Sequence, residues 1–368
     1  MAATESYEPS FDDRQDFEDA QRGFISALTP GIIKNAEGRV VWDIDAYNFM
    51  QDEPCPTSAH PHLWRQGQLN SKQGLFEIVP GIYQVRALDL SNMTIVEGDK
   101  GLIIIDPLIS CECAAAGLGL YRAHRGDSRP VTGLIYSHSH GDHYMGAGGV
   151  IDSLANGADA GIPIIAPEGF IEAVMSESII AGPAMRKRGA FMYGNALPRG
   201  PTGQIGTGLG MASSVGTTSL IPPNLLIQKT GEEHVIDGVR IVFQMVPGTE
   251  APAEINFHFP DFRALCIPET ATNCMHNIVS EALASSLLAV ISFHKLTVGV
   301  DRSRFAVLKC EMRRPGLAIW MRLLYSSELH RTSCLAAIIG RRGVRPSSST
   351  GLKSNGTCMD TCTIKLFV

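Results

Sequence analysis

The chain has 368 residues, of which 44% are hydrophobic and 18% charged, and its formal net charge is −6 at pH 7. This composition is typical of a globular protein with one large domain or two smaller ones. The acidic balance, with no basic stripe before residue 300, excludes a nucleic-acid-binding function. No apolar run is long enough to predict a membrane span.

The amino terminus and the cysteines indicate the compartment. The first 20 residues, MAATESYEPSFDDRQDFEDA, are acidic and lack the apolar segment of a secretory signal, so we expect an intracellular, cytoplasmic protein. Nine scattered cysteines do not indicate a disulfide framework. Cys111 and Cys113 are expected to pack at a helix start rather than to bind metal.

Residues 1–62 predict an N-terminal arm that packs on the main domain. They hold few apolar runs apart from residues 40–42, and nearby prolines are expected to keep the end of the arm extended. His60 and His62 fall in this connection and are expected to be solvent-facing loop residues rather than ligands.

A meander of strands and one helix follow the arm. Alternating or continuous apolar runs, separated by turn residues, predict strands at residues 76–79, 82–88, 93–97 and 101–105. Ser110 is typical of a helix N-cap, and the helix is expected to end near Gly126. Asp106 directly follows the fourth strand. It either accepts a hydrogen bond from a ligand histidine or only caps the helix.

The segment LIYSHSHGDHYMG, residues 134–146, carries the strongest functional signal in the chain. It follows an apolar strand predicted at residues 131–136. Because side chains alternate along a strand, His138 and His140 can point to one side. A turn at Gly141 can then bring Asp142 and His143 toward the same point. Imidazole and carboxylate groups at this spacing predict a metal site, usually zinc.

The middle of the chain predicts a strand at residues 163–167, a helix at 168–177 and a looser stretch at 186–210. Three glycines in that stretch superficially resemble a phosphate-binding loop, but no Lys-Ser/Thr follows them, so a mobile loop is expected. These glycines are Gly206, Gly208 and Gly210. Arg186 and Tyr193 cannot be placed by spacing alone.

Two glutamates in the second half of the chain can reach the same cleft. Glu250 and Glu269 each lie just past a predicted strand end, and strands are expected at residues 239–246, 257–259 and 264–267. Glu254 is the second candidate for the position of Glu250. His258 falls within a strand and is expected to be structural.

The motif His-x-His-x-Asp-His after an apolar strand resembles the signature of the metallo-β-lactamase superfamily. Three further segments resemble its alkylsulfatase branch: LWRQGQLN at 63–70, GIYQVRALDLSNMT at 81–94 and PGTEAPAE at 247–254. The resemblance covers residues 11 to about 277 and implies an α+β fold, a four-layer αββα sandwich, with an irregular C-terminal tail. It divides the chain into the arm, 1–62, a catalytic domain, 63–278, and a tail, 279–368.

The resemblance implies zinc-dependent hydrolysis of alkyl sulfate esters to alcohol and sulfate by a metal-bound hydroxide. It implies two zinc ions per chain, one held by His138, His140 and Glu250, the other by Asp142 and His143, with Glu269 bridging. Asp142 and Glu269 would also act in catalysis, and Asn277 would bind the sulfate. The alkylsulfatases use glutamates at the positions of Glu250 and Glu269, where other branches have a histidine and an aspartate.

The tail after residue 278 departs from the family. Residues 302–368 hold nine arginines and three acidic residues with little periodicity. A disordered basic tail is one interpretation. A retained intron followed by a shifted reading frame is the other, because a one-base shift lets residues 337–344 read HHWPTWG, like the family's missing His-His-Trp-Pro motif. The same shift lets residues 304–313 read LRGAQVRDA, like its missing sulfate-binding stretch.

The second interpretation leaves the second zinc site incomplete and removes the family's dimerisation segment. We therefore expect weakened metal occupancy, little activity and loss of homodimerisation in this chain. Two other functions stay open: a hydrolase of another ester or thioester on the same fold, and a catalytically inactive remnant that binds metal.

Overall fold

Two β-sheets packed face to face form the body of the protein. The computed structural model describes residues 11–51, 53–126, 128–151, 161–270, 305–313, 318–326 and 365–367. The larger sheet has eight strands in the order β1-β4-β5-β6-β7-β8-β9-β10. Its strands are β1 (Phe24–Ser26), β4 (Gly74–Val79), β5 (Ile82–Arg86), β6 (Met93–Glu97), β7 (Leu102–Ile105), β8 (Val131–Ile135), β9 (Ile164–Pro167) and β10 (Leu225–Ile227).

The larger sheet is mixed. Neighbouring strands from β1 to β7 pair antiparallel, whereas β7, β8, β9 and β10 pair parallel. A parallel pair needs a crossover connection, and the longest helix provides the one between β7 and β8. The carboxyl ends of β7, β8 and β9 therefore lie at one edge of the sheet.

The smaller sheet has five strands in the order β11-β12-β13-β14-β17. They are β11 (Glu233–Ile236), β12 (Val239–Met245), β13 (Ile255–Phe259), β14 (Ala264–Cys266) and β17 (Lys365–Phe367). β17 pairs parallel with β14, and the other pairs are antiparallel. Two separate hairpins complete the strands: β2 (Ile32–Lys34) with β3 (Val40–Asp43), and β15 (Phe305–Arg313) with β16 (Ala318–Ser326).

The alternation of side chains along β7 separates two hydrophobic cores. Ile103 and Ile105 point into the core between the sheets, where they meet residues of the smaller sheet such as Phe243. Leu102 and Ile104 point into the core on the other face, beneath helices and the N-terminal segment. A strand with apolar residues on both faces must be covered on both sides, so the continuous run LIII predicts an interior strand.

Within the residues that the structure describes, the helices are few and mostly short. They are α1 (Gln15–Gln21), α2 (Pro61–Asn70), α3 (Cys111–Arg125), α4 (Phe170–Val174), a π-helical segment (Met175–Ile180), α5 (Gly182–Met192) and the 3-10 turns Asp45–Met50, Gly141–His143 and Ala147–Gly149. None of the helices in the described ranges is long and apolar enough to cross a membrane.

Helix α3 begins and ends as its sequence predicts. The Ser110 hydroxyl accepts a hydrogen bond from the backbone N–H of Cys113 at 3.4 Å, and Gly126 ends the helix in the left-handed conformation at φ 60°. Cys113 lies on the buried face of the helix with Tyr121, which confirms its packing role. Asp106 does not cap this helix.

Two expectations for the middle of the chain need correction. The helix predicted at residues 168–177 is α-helical only over Phe170–Val174 and continues as a π-helix. The loose stretch predicted from residue 186 begins inside α5, which ends at Met192. The sequence GPAMRKRGAFM hides this helix because almost all of it is exposed, so no apolar face with a helical period marks it.

Candidate metal centre

The segment that carries the histidines lies where the two sheets meet. Just beyond β8, the carbonyl of Ser137 accepts a hydrogen bond from the N–H of Ile255 at 2.9 Å, and His138 pairs with Glu254 in an isolated antiparallel bridge. The end of β8 in the larger sheet is thus joined to the start of β13 in the smaller one. Side chains that leave this joint face both sheets at once.

A tight turn brings the second pair of ligand-type residues to the same place. The turn Gly141–His143 follows His140, whose carbonyl accepts from the N–H of His143 at 3.1 Å. The hydroxyl of Ser91 donates to the carbonyl of Asp142 and fixes the turn from the β5–β6 connection. His140 and His143 therefore point inward from opposite ends of one turn.

Asp106 orients two of the three histidines. Its Oδ2 accepts from His143 Nδ1 at 2.9 Å and from the Ser137 hydroxyl at 2.6 Å. Because that hydroxyl donates its one proton to Asp106, it must accept from His138 Nδ1, which lies 2.9 Å away. Both imidazoles then carry their proton on Nδ1 and turn Nε2 toward the cleft. The choice left open by the sequence is decided: Asp106 is a partner of ligand-type histidines.

Five of the six predicted ligands converge, as two overlapping groups that do not coincide with the two predicted sets. One consists of His138, His143 and Glu269, the other of His140, Glu250 and Glu269, and in each group the ligand atoms lie within 4.8 Å of one another. Glu269 belongs to both: its Oε1 lies 3.5 Å from His143 Nε2 and its Oε2 lies 3.6 Å from His138 Nε2. One carboxylate oxygen of Glu269 therefore faces each of these two histidines. Asp142 stands beside the first group, with its Oδ2 3.5 Å from His143 Nε2.

The donor set fits a zinc-like cation. Within the described residues, His143 Nε2 is buried and has no hydrogen-bond partner, although carboxylates surround it. His138 Nε2 and His140 Nδ1 lie 3.1 Å apart. Two nitrogen ligands on a tetrahedral zinc would lie about 3.3 Å apart, given bonds of about 2.0–2.1 Å. Imidazole and carboxylate groups together suit a borderline divalent metal.

The electrostatics of the cleft favour a positive charge. Burial of His143 disfavours its charged form, but the carboxylates of Asp142 and Asp106 outweigh burial and raise the pKa of His143 well above its ordinary value. Glu250 and Glu269 add two further carboxylates, whose side chains are 18% and 13% exposed. A cleft so rich in carboxylates is stabilised by a cation.

Glu254, the second candidate for the position of Glu250, has a different place. It is fully buried and holds the loop between β12 and β13: its Oε2 accepts from the N–H groups of Glu250 at 2.7 Å and Ala251 at 3.3 Å, and from the Thr249 hydroxyl. Its Oε1 accepts from Thr270 Oγ1 at 3.1 Å. Glu254 therefore ties together the two loops that carry Glu250 and Glu269.

The remaining candidates lie away from the centre or outside the described part of the chain. Asn277 belongs to the residues that are not described. His60 caps α2 by accepting from the N–H of His62 at 3.3 Å, and the two rings stack on each other. His258 is buried within β13. The glycine-rich residues 206–210 form a loop without helix or strand.

Two residues near the centre could not be placed from the sequence. Glu177, in the π-helical segment, lies with its Oε2 3.7 Å from His140 Nε2. Tyr193 follows α5. Burial raises its pKa to about 12, and the charges of Asp142, Glu269 and Glu250 add to this effect, so its ring lies within electrostatic reach of the carboxylates. Neither residue belongs to a motif, and only the folding of a distant segment onto the cleft brings them there.

Comparison with known proteins gives a consistent result. The family model described as the metallo-beta-lactamase superfamily matches residues 86–248. A linear primary-alkylsulfatase of a Pseudomonas species is 48% identical over 271 residues, which are 73% of this chain and 40% of that protein. An alkyl/aryl-sulfatase of Saccharomyces cerevisiae is 45% identical over 268 residues, 73% of this chain and 41% of its own length.

A solved structure of a stereoselective inverting sec-alkylsulfatase from Pseudomonas shares the fold. Its TM-score is 0.73 at 42% identity, and the match covers 77% of this chain and 46% of that one. The chain thus spans about two fifths of the length of the curated relatives.

Proposed function

Because this chain belongs to the metallo-beta-lactamase superfamily and is similar to alkylsulfatases over 73% of its length, we propose that it hydrolyses alkyl sulfate esters to an alcohol and sulfate with two zinc ions. The observation that carries the proposal is the convergence of His138, His140, His143, Glu250 and Glu269 at the joint of the two sheets. Glu269 lies near His138 and His143, one histidine from each proposed ion site, and paired metal ions are a common device for hydrolysis.

The residues of the centre have separable roles. His138, His140 and Glu250 would hold one ion, and Asp142 and His143 the other, with Glu269 between them. The ions would supply Lewis acidity, which makes a water molecule acidic and neutralises the sulfate group. Asp142 and Glu269 would orient the attacking water and accept its proton at a carboxylate oxygen. Asn277, outside the described residues, is proposed to donate to the sulfate.

The charge of the cleft sets the order of binding. Glu250, Glu269 and Asp142 line it, Glu177 lies at its mouth, and a sulfate ester is itself an anion. The carboxylates and the sulfate group would repel each other strongly in a cleft from which water is partly excluded. The ester is therefore expected to enter only after cations have been bound, so chelation removes substrate binding as well as turnover.

The test uses the full chain dialysed against zinc. Sulfate release from a linear primary alkyl sulfate is compared with hydrolysis of a carboxylic ester and a thioester of the same alkyl chain. We expect slow, zinc-dependent release of sulfate, lost on chelation and reduced at least about 100-fold in Asp142→Asn, because that variant lacks the carboxylate beside the attacking water. The exposed turn variant Asp99→Asn serves as the matched control and should behave like the parent chain.

The alternatives predict other results. A hydrolase with another substrate would cleave the carboxylic ester or the thioester and leave the sulfate ester intact. An inactive remnant would bind metal and release nothing above the rate of Asp142→Asn. Either result would contradict the proposal.

A further inference from the structure

His140 differs from the other two histidines in which ring nitrogen faces away from the cleft. Asp106 orients His143 directly and His138 through Ser137, so both rings present Nε2 to the cleft. His140 has the opposite orientation. Its Nδ1 faces the cleft, 3.1 Å from His138 Nε2 and 3.7 Å from Glu250 Oε1, and its Nε2 points outward.

Glu177 is the group that this outward nitrogen meets. Glu177 Oε2 lies 3.7 Å from His140 Nε2, just beyond hydrogen-bond distance. The hydroxyl of Ser139 donates to the same oxygen at 3.5 Å, which keeps the carboxylate beside the motif. The two side chains are 31% and 33% exposed, so the pair lies at the mouth of the cleft.

The π-helical segment explains how Glu177 reaches this place. The segment Met175–Ile180 widens the turn that follows α4, and such insertions are frequent at functional sites. Its apolar residues face away from the protein: Met175, Ile179 and Ile180 are 43%, 58% and 80% exposed. Glu177 instead turns toward the histidines. Because this segment exposes its isoleucines and turns its carboxylate toward the histidines, burial of apolar side chains does not explain its conformation.

We propose that Glu177 is a positioning residue of the metal centre: it accepts a hydrogen bond from His140 Nε2–H and thereby leaves Nδ1 as the ligand atom. Ligand histidines commonly donate their outer N–H to a carboxylate, which fixes the tautomer and increases the basicity of the ligand nitrogen. Asp106 does this for His143, and Glu177 does it for His140 from the π-helical segment. The inference rests on the metal centre of the proposed function and not on its substrate.

The test measures metal binding in the full chain. Zinc affinity is determined by competition with a chromophoric chelator, and the ligand field is read from the visible spectrum of the cobalt(II) form. Mutation of a residue that hydrogen-bonds a metal-binding histidine typically lowers metal affinity by about 10- to 100-fold. We therefore expect a loss of that size at one of two sites in Glu177→Ala. A smaller loss is expected in Glu177→Gln, whose amide oxygen still accepts a hydrogen bond.

The matched control is Glu172→Gln. Glu172 is an exposed residue of α4 in the same part of the chain, and it should keep both the affinity and the spectrum of the parent. A purely structural role of Glu177 would lower the melting temperature of the metal-free protein without changing the cobalt spectrum. If Glu177→Ala does not fold, the isosteric Glu177→Gln decides the question by the same two readouts.

The tautomer gives an independent readout. In protein with isotope-labelled histidine, we expect the resonances of His140 to report a proton on Nε2 in the zinc form. Unchanged affinity and an unchanged cobalt spectrum in Glu177→Ala and Glu177→Gln, or a proton on Nδ1 of His140, would overturn the proposal. Absence of sulfatase activity would not affect it, because metal binding is measured without substrate.

Discussion

At the scale of single residues, Asp89 is a buried carboxylate that fixes three loops. Only 1% of it is exposed. Its Oδ1 accepts from the N–H groups of Ser214 at 2.9 Å and Leu90 at 2.8 Å, and its Oδ2 accepts from the Ser214 hydroxyl at 2.6 Å and from Ile109 N–H at 3.2 Å. Burial raises the pKa of Asp89 from 3.8 to about 6, although these hydrogen bonds lower it.

This shift predicts a dependence of stability on pH. Between pH 3.8 and about 6 the folded chain holds the proton of Asp89 more tightly than the unfolded chain does. The free energy of unfolding therefore falls as pH rises through this window, by about 3 kcal/mol when a shift of about two pKa units is converted. Urea unfolding of the metal-free protein should show this fall relative to Asp89→Asn. Parallel pH profiles for the two proteins would contradict it.

The candidate ligand residues differ in how far the sequence could identify them. His138, His140, Asp142 and His143 were predictable because one strand and one turn carry all of them in six residues. Glu250 and Glu269 required the family resemblance, since each is an isolated acidic residue after a strand. Glu177 had no local signal: it reaches His140 only through the path of a segment that begins more than 30 residues later.

At the scale of elements, the segment that follows the Gly141–His143 turn packs its backbone closely against the loop after β7. Gly146 donates its N–H to the carbonyl of Leu108 at 2.9 Å. A Cβ at this glycine would lie 2.0 Å from the carbonyl oxygen of Pro107, and that backbone cannot move aside without shifting Asp106. Gly146 thus sets the distance between the Gly141–His143 turn and Asp106, the residue that orients His143.

We expect Gly146→Ala to lower the free energy of unfolding by about 3 kcal/mol, because overpacking against backbone is costly. It should also weaken metal binding. The matched control is Gly119→Ala on the exposed face of α3, where a Cβ meets nothing within 4 Å. There alanine should stabilise the protein by about 0.5–1 kcal/mol through its helix propensity. Urea unfolding of both variants measures the difference, and equal stabilities would show that the turn can relax.

Elements with local signals were the predictable ones. Helix α3 has a serine cap, an apolar face and a terminal glycine, so its bounds followed from the sequence. Helix α5 and the π-helical segment have no apolar face that the fold buries, and their structure follows from neighbouring chain rather than from their own pattern. The core strands were predictable because β7 and β8 bury both faces.

At the scale of the whole molecule, the relatives are more than twice as long as the segment that they share with this chain. We propose that residues 279–368 are encoded by a retained intron followed by a shifted reading frame. The transcript that spans the codons of Asn277 to Arg304 tests this directly. We expect a spliced form in which the LRGAQVRDA and HHWPTWG readings come into frame. A transcript population that keeps only the given sequence would contradict the proposal and favour the inactive remnant.

The β-bridge between His138 and Glu254 also affects the stage of folding at which the metal centre is completed. The histidines and the glutamates come from segments more than 100 residues apart, and this pairing exists only after the two sheets have docked. Contacts of such long range form slowly during folding. A chain whose two sheets have not yet docked therefore offers only the histidine cluster, which is expected to bind metal weakly. Tight metal binding is expected only after the two sheets have docked.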